Sequence, residues 1–224
     1  KGDIRYGRLT TPAELDEFEL FPNSIQTAEA LGIAEVQVFD EPIVRPYEKA
    51  STKVLLVKSG MCTQKSQAML RMIRSFDEKD DVAAGKPRRR ILAISTRVAF
   101  GETLLGLLGD QGFELYSAVG DTRQLHQCDR IIIQYESLHK LIGALLFDIV
   151  LLDEVESLLS NCGSPMNKHS QQNNGKAFEF FVKQAQRVLA LDADLSQKTL
   201  TVMKLLVGGD NITLHVNTHQ QSMP

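Results

Sequence analysis

Val54-Leu55-Leu56-Val57-Lys58-Ser59-Gly60-Met61-Cys62-Thr63-Gln64-Lys65-Ser66-Gln67-Ala68-Met69-Leu70 is the stretch on which the fold turns. An apolar run gives way to small residues, then to a Lys-Ser pair, then to apolar residues at helical spacing. That order predicts strand, phosphate loop, helix. A loop of the form GxxxxGK[ST] wraps a β-phosphate in backbone N–H groups, reaches the β/γ oxygens with its Lys and holds Mg²⁺ with its hydroxyl. Ser59, Gly60, Met61, Cys62, Thr63 and Gln64 are the candidate cradle, with Lys65 and Ser66 in the Lys and hydroxyl places. Gln64 stands where the pattern has Gly, and Ser59 opens the loop in place of Gly or Ala. The Gln64 side chain is a physical objection, because Gly at that place lets the backbone approach the phosphates and tolerates unusual dihedrals. Lys65 as an ordinary lysine at a helix start is the plain alternative.

A second stretch supports the first. Phe147-Asp148-Ile149-Val150-Leu151-Leu152-Asp153-Glu154-Val155-Glu156 places two carboxylates after four apolar residues, as a buried parallel strand would at its C-terminal end. Open α/β sheets bind ligands at that end. In a phosphate-loop enzyme Asp153 would hold the Mg²⁺ and its waters, and Glu154 would polarise the attacking water. Capping of the following helix by the same carboxylates is the simpler reading.

The 224 residues, 43% of them hydrophobic, suffice for one large α/β domain with an N-terminal extension. A net charge of −3 and a pI near 6.0 exert no global pull toward nucleic acid, so any such binding rests on local patches. Cys62, Cys128 and Cys162 are odd in number and lack a CxxC pair, which argues for reduced thiols and against a zinc site. No apolar run approaches the roughly 18 residues of a membrane span, and no signal peptide opens the chain. An intracellular location without membrane attachment is expected. The chain begins at Lys1 and ends at Pro224, which suggests a piece of something longer.

Residues 1–50 read as an extension packed on the main domain, with a helix start at Thr11-Pro12-Ala13-Glu14-Leu15 and an edge strand over Ala34–Val38. After the phosphate loop a helix is expected over Thr63–Phe76, then a charged surface connection over Asp77–Arg90. Within it Arg88-Arg89-Arg90 reads as a solvated loop or a phosphate contact. Ile91–Ser95 is a second buried strand, and Ser95-Thr96-Arg97 at its end could hold a nucleic-acid phosphate or cap a helix. Val98–Leu108 is helical, Phe113–Tyr116 a short strand, and Arg130–Gln134 another core strand. Asn161 to Gly175 reads as a mobile polar loop, followed by a helix over Lys176–Arg187. Val188-Leu189-Ala190-Leu191-Asp192-Ala193-Asp194 is a buried strand with acidic residues at its end. Thr199–Val207 is a helix, and Ile212–Val216 the last strand. Strand and helix alternate throughout, which implies right-handed crossovers and a parallel sheet with helices on both faces.

The phosphate loop, Ser95-Thr96-Arg97, Gln134-Tyr135-Glu136-Ser137-Leu138-His139, Leu152-Asp153-Glu154-Val155-Glu156-Ser157 and Asp192-Ala193-Asp194 occur in an order that resembles the first RecA-like domain of superfamily 2 helicases. More narrowly the set is similar to the replication origin-binding protein family of herpesviruses and other large DNA viruses. The similarity covers about residues 50–218. It implies a RecA-like phosphate-loop ATPase domain at 51–218, with ATP and Mg²⁺ as cofactors. Lys65 would contact the β/γ-phosphates, Ser66 and Asp153 would hold the metal, and Glu154 would be catalytic. The resemblance further implies that Thr96, Arg97, Gln134 and Ser137 form a strand-binding rim, and that Glu156, Asp192 and Asp194 couple hydrolysis to strand movement. Glu156 could as well be structural, and Asp192 and Asp194 simple turn acids. DNA is the implied partner, single-stranded or an origin duplex through the full-length protein, together with replication proteins in a nucleus, the host's if the source is viral.

Departures from the pattern define the alternatives. Gln64 and Cys62 each replace a Gly, so a helicase-like module that has lost hydrolysis and serves as a binding or scaffold domain competes with the ATPase. The second RecA-like domain, which supplies arginine fingers, does not fit within 224 residues, so the chain alone is expected to be a poor ATPase. A kinase or GTPase is the third class. The guanine-reading Asn-Lys-x-Asp is matched only by Asn167-Lys168-His169-Ser170 in a polar tract, and small-molecule kinases usually lack the Asp-Glu-x-Glu box.

Overall fold

The structure, a computed structural model, describes residues 27–47, 50–161 and 168–219. Eight strands make one sheet: β1 (Glu35–Phe39), β2 (Val54–Ser59), β3 (Ile91–Ser95), β4 (Glu114–Leu115), β5 (Arg130–Gln134), β6 (Ile149–Asp153), β7 (Arg187–Asp192) and β8 (Ile212–Asn217). Their spatial order is β1-β8-β2-β7-β6-β3-β5-β4. Every pairing is parallel, as the alternation of strand and helix requires.

Among the described residues seven helices connect or flank the strands: α1 (Ala28–Leu31), α2 (Lys65–Lys79), α3 (Val98–Leu108), α4 (Thr122–Gln127), α5 (Val155–Asn161), α6 (Lys168–Gln184) and α7 (Gln197–Val207). Successive strand residues point to opposite faces, and each face has its own core. Leu55, Val57, Ala93 and Leu151 pack with Met69, Met72, Ile73 and Phe76 of α2 and with Leu104 and Leu108 of α3. Leu56, Ile94, Ile133 and Leu152 pack on the other face with Phe178, Phe181 and Val182 of α6 and Leu200 and Met203 of α7. Strands with both faces covered are apolar throughout, which is why β2, β3, β5 and β6 read as continuous apolar runs.

Three expectations are corrected. Lys168–Gln184 is one helix, so the expected loop at 161–175 holds from residue 168 onward a helical segment, and residues 162–167 lie outside the described set. Apolar positions at Ala177, Phe178, Phe181 and Val182 bury the helix face, and the helix extends back through the polar tract because Asn174 buries there with its amide oxygen and nitrogen both hydrogen-bonded. Arg187 opens β7 instead of closing that helix. The helix after the phosphate loop starts at Lys65, not Thr63, since Gln64 adopts a left-handed conformation, and it runs on to Lys79.

Val36 and its neighbours form β1, the edge strand beside β8. The helix start at Thr11–Leu15 lies outside the described residues. Arg88, Arg89 and Arg90 brace the loops at the strand N-terminal ends: Arg89 forks onto Asp80, Arg90 pairs with Asp129 at 2.9 Å and covers the Phe147 ring at 5.2 Å, and Arg88 reaches the Gln111 carbonyl at 3.4 Å. That end is opposite the phosphate loop.

Candidate functional site

Adjacent strands deliver the candidate residues to one edge. β2 is flanked by β8 and β7, and β7 by β6, with Lys58 level with Asp192 and Asp153 level with Leu191. The loop after β2, the Asp153-Glu154 corner after β6 and the Asp192-Ala193-Asp194 corner after β7 therefore open into one cleft of about 570 Å³. Met61, Cys62, Thr63, Gln64, Lys65, Ser66, Asp153, Glu154, Asp192 and Asp194 line it, as do Gln67, Ser157, Leu191 and Ala193, which the sequence motifs contain but to which no role was assigned.

The loop is held from within. Ser59, fully buried, donates from its hydroxyl to Thr63 Oγ1 at 2.8 Å, and Thr63 donates to the Gly60 carbonyl at 2.9 Å. The Lys65 ammonium donates to the Ser59 carbonyl and to the Gly60 carbonyl at 2.8 Å. Cys62 and Gln64 both have φ 61°. They take up the left-handed conformations for which the motif ordinarily uses glycine, at about 1–2 kcal/mol each. Glu154 sits at φ 53° as well.

Burial sets the electrostatics. Desolvation lowers the Lys65 pKa, and the surrounding Asp153, Asp192 and Asp194 only partly offset it. Desolvation raises Asp153, with Asp192 adding to the rise and Lys65 opposing it. Glu154 is raised by desolvation and then by the neighbouring Asp153 and Asp192. Each group is thus held against its charged form, the usual state of a pocket built to exchange charge with a ligand.

These residues fit a Mg²⁺-nucleotide. No side chain caps α2 at its N-terminus, and uncapped N–H groups with the positive end of a helix dipole attract phosphate. Lys65 and Ser66 stand at that terminus, and the Asp153 carboxylate faces them across the cleft. A lysine, a hydroxyl and a carboxylate around a helix start are the donor set for a triphosphate with a hard cation.

Asp192 lines the cleft and joins it to Glu156 behind. Asp192 accepts from the backbone N–H of Glu156 at 2.8 Å and of Asp194 at 2.9 Å. One Glu156 oxygen accepts from Ser196 N at 2.7 Å, Ser196 Oγ at 2.8 Å and Thr199 Oγ1. Ser196 and Thr199 were not legible as site residues: Thr199 reads as the first residue of a helix, and Ser196 is found to be the N-cap of α7. Asp194 is exposed.

Thr96, Arg97, Gln134 and Ser137 stand apart from the cleft, on the same edge. Ser95 and Gln134 are level on adjacent strands β3 and β5. Thr96 is buried with its hydroxyl unpartnered, Arg97 is exposed at the start of α3, and Gln134 accepts from Tyr116 Oη at 3.2 Å. Ser137 lies in the 3-10 turn Tyr135–Leu141. A second cleft of about 490 Å³ opens beside Arg88, Glu114, Gln124 and Cys128 and gathers no comparable set.

The sequence profile described as Origin of replication binding protein matches residues 23–223. The chain belongs to this family. Among relatives, the "Putative helicase/primase complex protein" of African swine fever virus is 28% identical over 215 residues, 96% of this chain and 19% of that protein. The replication origin-binding protein of Gallid herpesvirus 2 is 25% identical over 199 residues, 85% of this chain and 23% of that protein. The chain thus spans about a fifth of the length of these curated relatives. Among solved structures, the DEAD-box helicase Mss116 bound to ssRNA and UDP-BeF matches with a TM-score of 0.51 at 12% identity, covering 79% of this chain and 39% of that one, a likeness of fold. The origin-binding family chain therefore has the fold of a RecA-like domain. Among its described residues no helix is long and apolar enough to cross a membrane.

Proposed function

We propose that residues 51–218 are the ATP-binding RecA-like domain of a helicase of the origin-binding type, which couples ATP hydrolysis to movement along a DNA strand. The observation that carries this reading is the convergence of Lys65, Ser66, Asp153 and Glu154 on one cleft from two separate strand ends. In this reading the α2 N-terminus and Lys65 bind the β/γ-phosphates, and Ser66 and Asp153 hold Mg²⁺, which supplies charge neutralisation when bound. Glu154, its carboxyl raised by burial and by Asp153, orients and deprotonates the attacking water. The wall formed by Glu156, Asp192, Ser196 and Thr199 links the cleft to α7. Thr96, Arg97, Gln134 and Ser137 form the strand-binding rim, and the full-length protein works inside the cell, in a nucleus, with other replication proteins.

The scaffold alternative rests on one observation, the Gln64 side chain on the cleft wall. Calorimetric titration with Mg²⁺-ATP separates the two. The chain is expected to bind at micromolar concentration, and Lys65→Ala to lose about 10- to 100-fold, as for a charge-assisted phosphate contact of about 1.5–3 kcal/mol. Failure of the native chain and of Gln64→Gly to bind would leave only the scaffold. Binding is the readout because the family resemblance implies that turnover needs arginines from a second RecA-like domain.

A further inference from the structure

The turn Tyr135–Leu141, which carries Ser137 directly after Gln134, is a seven-residue 3-10 segment. Such runs rarely exceed three or four residues, because their hydrogen bonds are poorly aligned and their side chains eclipse. A longer one must be braced from outside. The brace is Asn174 of α6, 1% exposed. Its Oδ1 accepts from the backbone N–H of His139 at 2.8 Å and from His139 Nδ1 at 2.9 Å, and its Nδ2 donates to the Glu136 carbonyl at 2.8 Å. One side chain thus grips the turn at two points three residues apart, and its acceptor role places the imidazole proton on Nδ1. One turn along α6, Phe178 meets the Tyr135 ring edge-on at 6.0 Å.

We propose that Asn174 is a positioning residue for the nucleic-acid rim, fixing the turn that carries Ser137 beside Gln134, both of them 9% exposed, so that this part of the rim keeps one shape against a DNA strand. The inference rests on the rim assignment made above. Asn174 does not line the nucleotide cleft, and its hydrogen bonds go to Glu136 and His139, which do not line it either, so its loss should separate the two ligands. A merely structural asparagine would weaken both together.

The test uses the full 224-residue chain as native protein, Asn174→Ala, Asn174→Asp and Arg97→Ala. Fluorescence anisotropy with a labelled oligothymidylate reads strand binding, and calorimetry with Mg²⁺-ATP reads the cleft, both well below the melting temperature. Asn174→Ala is expected to weaken oligothymidylate binding about tenfold and to leave Mg²⁺-ATP binding within about twofold. Asn174→Asp keeps the acceptor for both His139 donors and loses the donor to the Glu136 carbonyl, so it should recover part of the loss, and circular dichroism of each variant shows that it folds. Hydrogen exchange at the His139 amide should quicken in Asn174→Ala and remain slow in Asn174→Asp. Equal weakening of both ligands by Asn174→Ala, or no weakening of strand binding where Arg97→Ala does weaken it, overturns the role of Asn174 alone. A native chain that does not bind oligothymidylate overturns the rim assignment, and the role of Asn174 with it.

Discussion

Gln64→Gly tests whether the phosphate loop holds backbone strain. Gln64 lies at φ 61° and ψ 30°, and its side chain makes no capping hydrogen bond to α2. The left-handed conformation costs a residue with a Cβ about 1–2 kcal/mol. Glycine removes that cost and adds unfolded-chain freedom worth about 0.4–1 kcal/mol in the opposite direction. The net expectation is a gain of about 0.5–1 kcal/mol. For a chain of this size that raises the melting temperature by about 1–4 °C. Thermal unfolding followed by circular dichroism reads the shift. Gln64→Ala is the control, because it removes the long side chain and keeps the Cβ, and it should give no rise. A fall in melting temperature for Gln64→Gly, or an equal rise for Gln64→Ala, would refute the argument, the latter by assigning the effect to side-chain crowding. Since glycine also allows closer backbone approach, Mg²⁺-ATP affinity should rise with stability in the same variant.

Asp153→Asn addresses the buried carboxylate. Its folded-state pKa is raised, chiefly by desolvation, so the stability it contributes is complete below the ordinary carboxylate range and is lost as pH rises through the raised value. The variant should match the native chain under acid conditions and melt higher at neutral pH. A variant that melts lower at pH 7 would mean that the attraction to Lys65 outweighs desolvation. Arg130→Ala probes the opposite end of the sheet. Arg130, 2% exposed, forks onto Asp77 and donates to the Gln111 carbonyl at 2.7 Å, and removing one partner of a buried pair costs about 3–5 kcal/mol. Urea unfolding should show a lower midpoint at unchanged slope, and a loss under 1 kcal/mol would place the pair in the class of weak surface bridges.

What the residues disclosed in advance follows from what is local. β2, β3, β5, β6 and β7 are apolar runs covered on both faces, and such runs can be read without knowing their neighbours. The cleft was legible because phosphate chemistry fixes residue types at fixed short spacing, as in Lys65-Ser66 and Asp153-Glu154. The first half of α6 was hidden because Asn and Gln carry no periodic signal, and Asn174 needs Glu136 and His139, 38 and 35 residues away, to justify its burial. Ser196 and Thr199 were hidden for a related reason. Their partner Glu156 lies 40 and 43 residues back, and from sequence Thr199 looks only like the opening of a helix. Arg130 read as the first residue of a core strand, with nothing nearby to announce Asp77, 53 residues away.

The distribution of strain bears on whether the cleft binds a ligand. Four described residues other than glycine have positive φ: Cys62, Gln64, Asp81 and Glu154. All but Asp81 line the one cleft. At about 1–2 kcal/mol each, these three hold roughly 3–6 kcal/mol against a folding free energy of about 5–15 kcal/mol for an ordinary domain. Desolvation adds to the burden, because Lys65, Asp153 and Glu154 are each held against their charged forms. A wall that served only to scaffold a partner would be more stable with glycine at Cys62 and Gln64 and with neutral side chains in the pocket. Strained backbone and buried unlike charges persist together where the surrounding structure over-determines them, and ligand clamps are where that occurs. The combination therefore weighs toward a cleft that takes a ligand. It also implies that Mg²⁺-ATP at one fixed concentration should raise the melting temperature of the native chain, and that of Gln64→Gly by at least as much, since glycine allows closer backbone approach.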